Sequence, residues 1–156
     1  MDQEVNKIQK LGEYFLHVFI EETTSIECGE GNTSDPKIKI IAMEDEKSST
    51  QKKQIGFDTR LFWGEHFYFT KKYNVRADLE DDIIELKVYN TANLLTKSLL
   101  GTLKINLTSI YYEKDQKFEH RWFLIQNRDK ALTTPTGYIK LSASLTGEGD
   151  KQVCYI

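Results

Sequence analysis

The sequence predicts an all-β fold, an eight-stranded antiparallel β-sandwich. Short stretches rich in aromatic and β-branched residues recur along the chain, with turn or loop signals between them. No long stretch has the period of an amphipathic helix. The length of 156 residues and the hydrophobic fraction of 39% are enough for a single core. These features together are typical of a sandwich.

The clearest predicted strands are "YFLHVFIEE" (14–22) and "GYIKLSASL" (137–145), which pair aromatic or aliphatic residues with polar neighbours. The other six are 37–43, 54–58, 66–69, 83–89, 99–107 and 120–125. "EDEKSSTQKK" (44–53) is expected to be a solvated connection, and "TRLFWGE" (59–65) a turn. The predicted inner face consists of Phe15 and Phe19 or their alternating neighbours, together with Trp63, Phe67, Leu86, Trp122 and Leu141.

Charge and cysteine content narrow the classes of function. The chain carries 21 Lys and Arg against 24 Asp and Glu, a net charge of −3, so we expect no nucleic-acid partner. Cys28 and Cys154 are too few for a disulfide framework, which favours a reducing compartment. There is no signal peptide pattern and no apolar run of membrane-spanning length. We therefore expect a cytoplasmic protein, peripheral to a membrane or built into a large assembly.

Catalytic patterns are absent from the sequence. His17, His66 and His120 fall in three different predicted strands, where a structural role is the simpler interpretation. No nucleophile elbow, phosphate loop or HExxH pattern occurs. We expect no enzyme activity, no catalytic residues, no cofactor and no small-molecule substrate.

Two pairs of segments carry a family resemblance. "SDPKIKI" (34–40) followed by "LFWGEHFYF" (61–69) resembles the paired signature of C2 domains. The segments 99–127 and "TGYIKLSASLTGEGD" (136–150) are similar to an N-terminal C2 domain of the ferlins. The resemblance implies a C2 domain over 14–150, preceded by an arm over 1–13 and followed by a tail over 151–156. It also implies type II topology, with loops 23–35, 58–65 and 90–98 at one end.

The resemblance further implies where calcium would bind. Calcium-binding C2 domains use aspartates of the first and third loops, and these positions fall on Asp35, Asn90, Ala92 and Ser98. Because calcium takes six to eight oxygen ligands, several from carboxylates, we interpret the loops as a degenerate calcium site that holds no metal. Asp35, which precedes a proline, is expected to cap a turn by accepting backbone N–H groups.

Two functions remain open at the level of sequence. A basic strand surface and apolar loop tips would bind anionic phospholipid, the candidates being Lys37, Lys39, Leu94 and Leu95. A protein-interaction or scaffold subunit would instead dock through surfaces such as an N-terminal arm with Val5, Ile8 and Leu11 at helical spacing. The net charge and the acidic stretches 44–46 and 78–82 oppose attraction to anionic lipid, so the sequence favours protein partners.

Overall fold

The computed structural model describes residues 10–93, 95–127 and 136–150. Its strands, numbered along the chain, are β1 (Gly12–Thr24), β2 (Thr33–Ser34), β3 (Pro36–Ala42), β4 (Asp45–Ser48), β5 (Ile55–Gly56), β6 (Arg60–Tyr73), β7 (Ile83–Asn90), β8 (Ser98–Asn106), β9 (Lys117–Ile125) and β10 (Gly137–Gly147). Two single-turn helices, α1 (Arg76–Glu80) and α2 (Leu107–Tyr111), lie in the connections.

Eight of the strands form two four-stranded sheets that share one core. The first sheet has the order β6-β1-β10-β9 and the second has the order β4-β3-β7-β8. Every pairing in them is antiparallel, so the predicted antiparallel sandwich is confirmed. The last strand β10 pairs with the first strand β1. The assignment to type II topology stays a prediction.

Alternation along β1 decides which aromatic residues enter the core. Tyr14, Leu16, Val18 and Ile20 are buried, and their neighbours Phe15 and Phe19 face outward. Of the predicted core residues, Trp63, Phe67, Leu86 and Leu141 are indeed buried.

The prediction for Trp122 is wrong, since its side chain is 42% exposed. Trp122 lies opposite Lys140 on the outer surface of the first sheet, and the Lys140 ammonium is 5.7 Å from the centre of its ring. β9 is an edge strand, so an amphipathic indole there is covered by a cation instead of the core.

Three further predictions are corrected. The connection 44–53 contains β4, and the predicted strand 54–58 is reduced to the two residues of β5. Residues 60–65 of the predicted turn 59–65 lie inside β6, where Trp63 and Gly64 oppose the single residue Glu21 as a β-bulge. Gly64 adopts a left-handed φ of 60°, and the Trp63 indole N–H donates to Thr23 Oγ1 at 2.8 Å, which secures the bulge.

The loops that follow β1, β4 and β7 lie at one end of the sandwich, and residues 10 and 150 lie at the other. The loop end consists of segments 25–35, 49–59 and 91–97, so the middle loop precedes β6 and does not cover 58–65 as expected. At the opposite end, the Lys10 ammonium is 2.8 Å from Asp150 Oδ1. Helix α1, which contains most of the acidic stretch 78–82, follows β6 at this opposite end, as does the turn between β3 and β4.

Candidate functional site

Asp35 joins the three segments of the loop end. Its backbone N–H donates to Asn90 Oδ1 at 3.0 Å, and its Oδ1 accepts the Gln54 N–H at 2.8 Å. Its carbonyl oxygen accepts both the N–H and the hydroxyl of Thr91, each at 2.9 Å. The carboxylate therefore acts on backbone geometry, which is the kind of role expected for it from the sequence.

The remaining predicted loop positions carry no carboxylate. Asn90 Oδ1 accepts the N–H groups of Asp35 and Ala92, so its oxygen is directed at the backbone. Ala92 offers no side-chain oxygen, and Ser98 is an exposed residue at the start of β8. Within 10–93, 95–127 and 136–150, no three His, Cys, Asp or Glu side chains converge as a metal centre. Asp35 is thus the one carboxylate among the four predicted loop positions, and calcium independence stays a prediction.

A cavity of about 600 Å³ lies between the first and third loops. Glu27, Glu30 and Lys97 contribute charges of both signs, and Gly29 and Leu100 contribute apolar surface. The mixture gives this cavity no clear preference for an anion or a cation.

The outer surface of the second sheet gathers lysines around one tyrosine. Strand register places Lys39 opposite Lys87 and Lys37 opposite Tyr89. The ammonium groups of Lys39 and Lys97 lie 5.7 and 4.8 Å from the centre of the Tyr89 ring. We call Lys37, Lys39, Lys87, Lys97 and Tyr89 the lysine face.

Carboxylates neutralise only part of the lysine face. Lys39 is 3.6 Å from Glu46, and Lys87 is 3.6 Å from Glu85. In the part of the chain that the structure describes, neither Lys37 nor Lys97 has an ion-pair partner. These two lysines also line a second cavity of about 510 Å³, with Gln51, Thr91, Asn93 and Leu95.

Apolar side chains project from the same end as Lys37 and Lys97. Leu95 in the third loop is 93% exposed, and Phe57 in the middle loop is 51% exposed. Leu94 lies outside the described residues. So do Val5 and Ile8, while Leu11 is exposed at the opposite end of the sandwich. The docking role of the N-terminal arm stays a prediction.

Sequence reasoning identifies Lys37 and Lys39 but misses Lys87, Tyr89 and Phe57. Lys87 and Tyr89 alternate along β7, but only the register of β7 against β3 places them beside the other two lysines. Phe57 falls in a predicted strand, and the signal that could move it to a loop is the "FDT" turn before Arg60.

The histidines of the first sheet do not form a catalytic arrangement. His17 Nε2 is 2.8 Å from His66 Nδ1, and burial, followed by the charge of His66, lowers the pKa of His17 to about 4. His120 Nδ1 lies 2.5 Å from Glu21 Oε1, and Ser142 Oγ donates to the other oxygen of Glu21 at 2.9 Å. Because the Ser142 hydroxyl donates to a carboxylate instead of an imidazole, it does not form the serine–histidine pair of a catalytic triad.

Comparison with protein families identifies the family to which the sandwich belongs. The family model described as "C2 domain" matches residues 15–125, which is more than half of the chain. The chain belongs to the C2 domain family. The resemblance in its sequence to C2 domains is thereby confirmed.

Relatives of this C2 domain include ferlins. It is 28% identical over 124 residues to human myoferlin, covering 78% of this chain and 6% of that protein. It is 24% identical over 139 residues to Ferlin 2 of Tetrahymena thermophila, covering 89% of this chain and 8% of that protein. The chain thus spans a small fraction of the length of the curated relatives it matches.

Solved C2 structures share the fold at low sequence identity. A structure of Extended-Synaptotagmin 2 that contains its SMP domain and two C2 domains matches with a TM-score of 0.67 and 15% identity, covering 92% of this chain and 31% of that one. A "C2 domain-containing protein from putative elicitor-responsive gene" matches with a TM-score of 0.66 and 17% identity, covering 92% of this chain and 97% of that one. In the described ranges of the present C2 domain, no helix is long and apolar enough to cross a bilayer.

Proposed function

We propose that this chain is a non-catalytic, calcium-independent C2 module that binds anionic phospholipid surfaces through the lysine face. The observation that carries the proposal is the gathering of Lys37, Lys39, Lys87 and Lys97 around Tyr89 on one sheet surface. A lysine close to an anionic membrane contributes about 1 kcal/mol of attraction. Lys37 and Lys97, which lack carboxylate partners among the described residues, contribute most of this attraction.

The distribution of charge supports lipid binding more than the net charge does. The acidic stretch 78–82 and the turn before Asp45 lie at the end of the sandwich away from the loops. Lys37 and Lys97 lie at the loop end. Because exposed charges are screened over about 8 Å at physiological ionic strength, acidic groups at the far end do little to weaken attraction at the loops.

Exposed apolar residues at the loop end would add to the electrostatic attraction. Leu95 and Phe57 project from the same end as Lys37, so both can enter the interfacial region while the lysines meet headgroups. Full burial of a leucine or phenylalanine side chain contributes about 1.5 to 3 kcal/mol. Two weak contributions of different kinds together favour reversible, peripheral binding.

A protein-interaction or scaffold subunit of a larger assembly is the second candidate. The observation in its favour is the outer surface of the first sheet, where Phe62 is 66% and Tyr68 is 60% exposed. Aromatic residues are enriched in protein interfaces, and these two lie far from the lysine face on the other sheet.

Vesicle sedimentation in the presence of chelator tests the lipid proposal. The protein should pellet with vesicles of phosphatidylcholine that contain phosphatidylserine or a phosphoinositide, and calcium should add nothing. Replacing Lys37→Ala and Lys97→Ala together should weaken binding up to about 30-fold, since two lysines contribute about 2 kcal/mol.

The matched control removes two lysines from other surfaces, Lys72→Ala with Lys114→Ala. This control has the same net charge as the first double variant and should bind nearly as well as the wild type. Equal losses of vesicle binding in the two double variants would show that the attraction is a non-specific effect of charge. A wild-type protein that stays in the supernatant with every vesicle would exclude lipid binding and leave protein partners as the function.

A further inference from the structure

Among the described residues, strand β6 has a long edge that pairs with no other strand. It is the terminal strand of the first sheet and runs for 14 residues. In the described part of the chain, its ladder is formed with β1 alone. An edge strand of this length exposes a row of N–H and C=O groups that another strand can pair with.

The features of β6 that hinder pairing with another strand lie near its ends. The bulge at Trp63 and Gly64 interrupts the first part of the strand, and Lys71 and Lys72 lie near its end. Between them, the run "HFYFT" (66–70) contains no Lys, Arg, Asp or Glu, and Tyr68 at its centre is 60% exposed. Natural edge strands are usually interrupted by an inward charge, a proline or a lysine at such a position.

We propose that β6 pairs with β6 of a second copy of this chain, antiparallel about a two-fold axis at Tyr68. In this register Gly64–Lys72 of one copy faces Lys72–Gly64 of the other. Glu65 lies opposite Lys71 of the second copy, and Phe67 lies opposite its Phe69, each contact occurring twice. The register centred on Tyr68 is the one that sets Glu65 against Lys71, and it places no like charges opposite each other.

The existing contacts of these charges are compatible with the pairing. Glu65 accepts the N–H and hydroxyl of Thr50 at 3.0 and 2.8 Å, and Lys71 lies 3.2 Å from Glu44 and 3.8 Å from Asp82. A carboxylate has about four lone-pair sites and an ammonium has three donors, so each group retains capacity for one further partner. An interface built from one nine-residue strand pair is small, and we therefore expect a reversible dimer of micromolar affinity.

Sedimentation velocity from low micromolar to near-millimolar protein tests the dimer. Wild type should shift from monomer to dimer with concentration. Tyr68→Lys, which places a charge at the centre of the edge, should weaken the dimer about tenfold or more. Leu124→Lys is the control, because Leu124 is similarly exposed on the opposite edge strand, β9, and should leave dimerisation unchanged. A wild type that stays monomeric throughout would overturn the proposal.

A charge exchange separates pairing from effects on folding. Glu65→Lys and Lys71→Glu should each weaken the dimer about tenfold, since each creates like-charge pairs at two symmetric places. The double variant should restore it. Residues 65 and 71 of one chain are about 20 Å apart along an extended strand, so restoration cannot arise within one copy. A double variant that dimerises no better than the single variants would contradict the register.

Cross-linking provides a second measurement, which does not depend on the equilibrium between monomer and dimer. In a Cys154→Ser background, Tyr68→Cys should form a disulfide-linked dimer on mild oxidation, because the two copies of position 68 face each other. Thr70→Cys should not, because in this register it faces His66 of the second copy. Cross-linking through position 70 in preference to position 68 would place the axis elsewhere and refute the proposal.

Discussion

His17 shows at the scale of one residue how the surface of a sheet can perturb a side chain. The imidazole stacks on the Tyr68 ring with centroids 4.5 Å apart, and its Nε2 lies 2.8 Å from His66 Nδ1. Burial in this aromatic surrounding, and then the charge of His66, lower the pKa of His17 to about 4. The folded protein therefore keeps His17 neutral at acidities where the unfolded chain protonates it.

Because of His17, we predict that the free energy of unfolding decreases as the pH is lowered from about 6.5 to 4. In that window the unfolded state binds a proton at His17 that the folded state does not, so protonation favours unfolding. Partial exposure of the ring limits the effect to about 1 kcal/mol. Urea unfolding of wild type and His17→Gln at pH 7, 6 and 5 would measure this effect. The free energy of unfolding of the variant should change less with pH than that of the wild type. An equal pH dependence of the unfolding free energy in the two proteins would show that His17 does not titrate as described.

Calcium should not change the melting temperature of the wild type. A site of micromolar affinity would add about 4 kcal/mol at millimolar calcium, which is easily detected. The converse variant carries Asn90→Asp, Ala92→Asp and Ser98→Asp together. It should lose stability in chelator through crowding of like charges and regain much of that loss with calcium. A triple variant that is indifferent to calcium would mean that these positions do not converge.

At the scale of elements, the junction of β8 and β9 closes one side of the sandwich. Thr102 and Gln126 exchange backbone hydrogen bonds of 2.8 and 3.1 Å there. Gly101 lies beside this bridge, and a Cβ on it would overlap Ile125 Cγ2 and fall 2.5 Å from Thr136 Oγ1. The two sheets approach so closely here that only glycine fits.

Gly101→Ala should therefore destabilise the protein by about 1 to 3 kcal/mol, the usual cost of overpacking. The control is Gly31→Ala, where the nearest atom to the added Cβ is 3.4 Å away. Denaturant unfolding of both variants measures the difference. Similar stability of the two would indicate that β8 and β9 can separate without cost.

Most strands could be predicted because their signals are local, and the failures occur where tertiary contacts decide. Alternation in β1 and β10 specifies a half-buried strand without reference to a partner. The bulge in β6 depends on a hydrogen bond between Trp63 and Thr23, 40 residues apart, so the local sequence "WGE" predicts a turn instead. Likewise, the lysine face depends on the register of β3 against β7, which periodicity alone cannot specify.

At the scale of the whole molecule, Asp150 ties the end of β10 to the beginning of the fold. Its carboxylate accepts hydrogen bonds from the Lys10 ammonium, the Gln116 amide and the Gly147 N–H at 2.8, 3.1 and 2.7 Å. Burial alone would raise its pKa, but these three donors hold the pKa below its usual range. Stability from Asp150 is therefore present above its ordinary pKa and is lost as the pH falls through the lowered value.

Asp150→Ala should cost about 2 kcal/mol, because it leaves several donors without their acceptor. Lys10→Ala should cost less, since Asp150 would keep its bonds to Gln116 and Gly147. Thermal unfolding of the two variants ranks them. A larger loss from Lys10→Ala would mean that the ion pair, and not the hydrogen-bond cluster, is what holds this end together.

The adjacency of Lys10 and Asp150 also determines how the domain responds to tension. β1 and β10 are antiparallel neighbours, and Tyr14 lies opposite Gly147 near the place where both strands leave the sheet. A force that pulls residues 10 and 150 apart acts along the hydrogen bonds and breaks them one after another, as in a zipper. Such loading never places the whole ladder in shear. When pulled through these two points, the sandwich should open at low force from the end opposite the loops, and the loop end should be the last part of the ladder to separate.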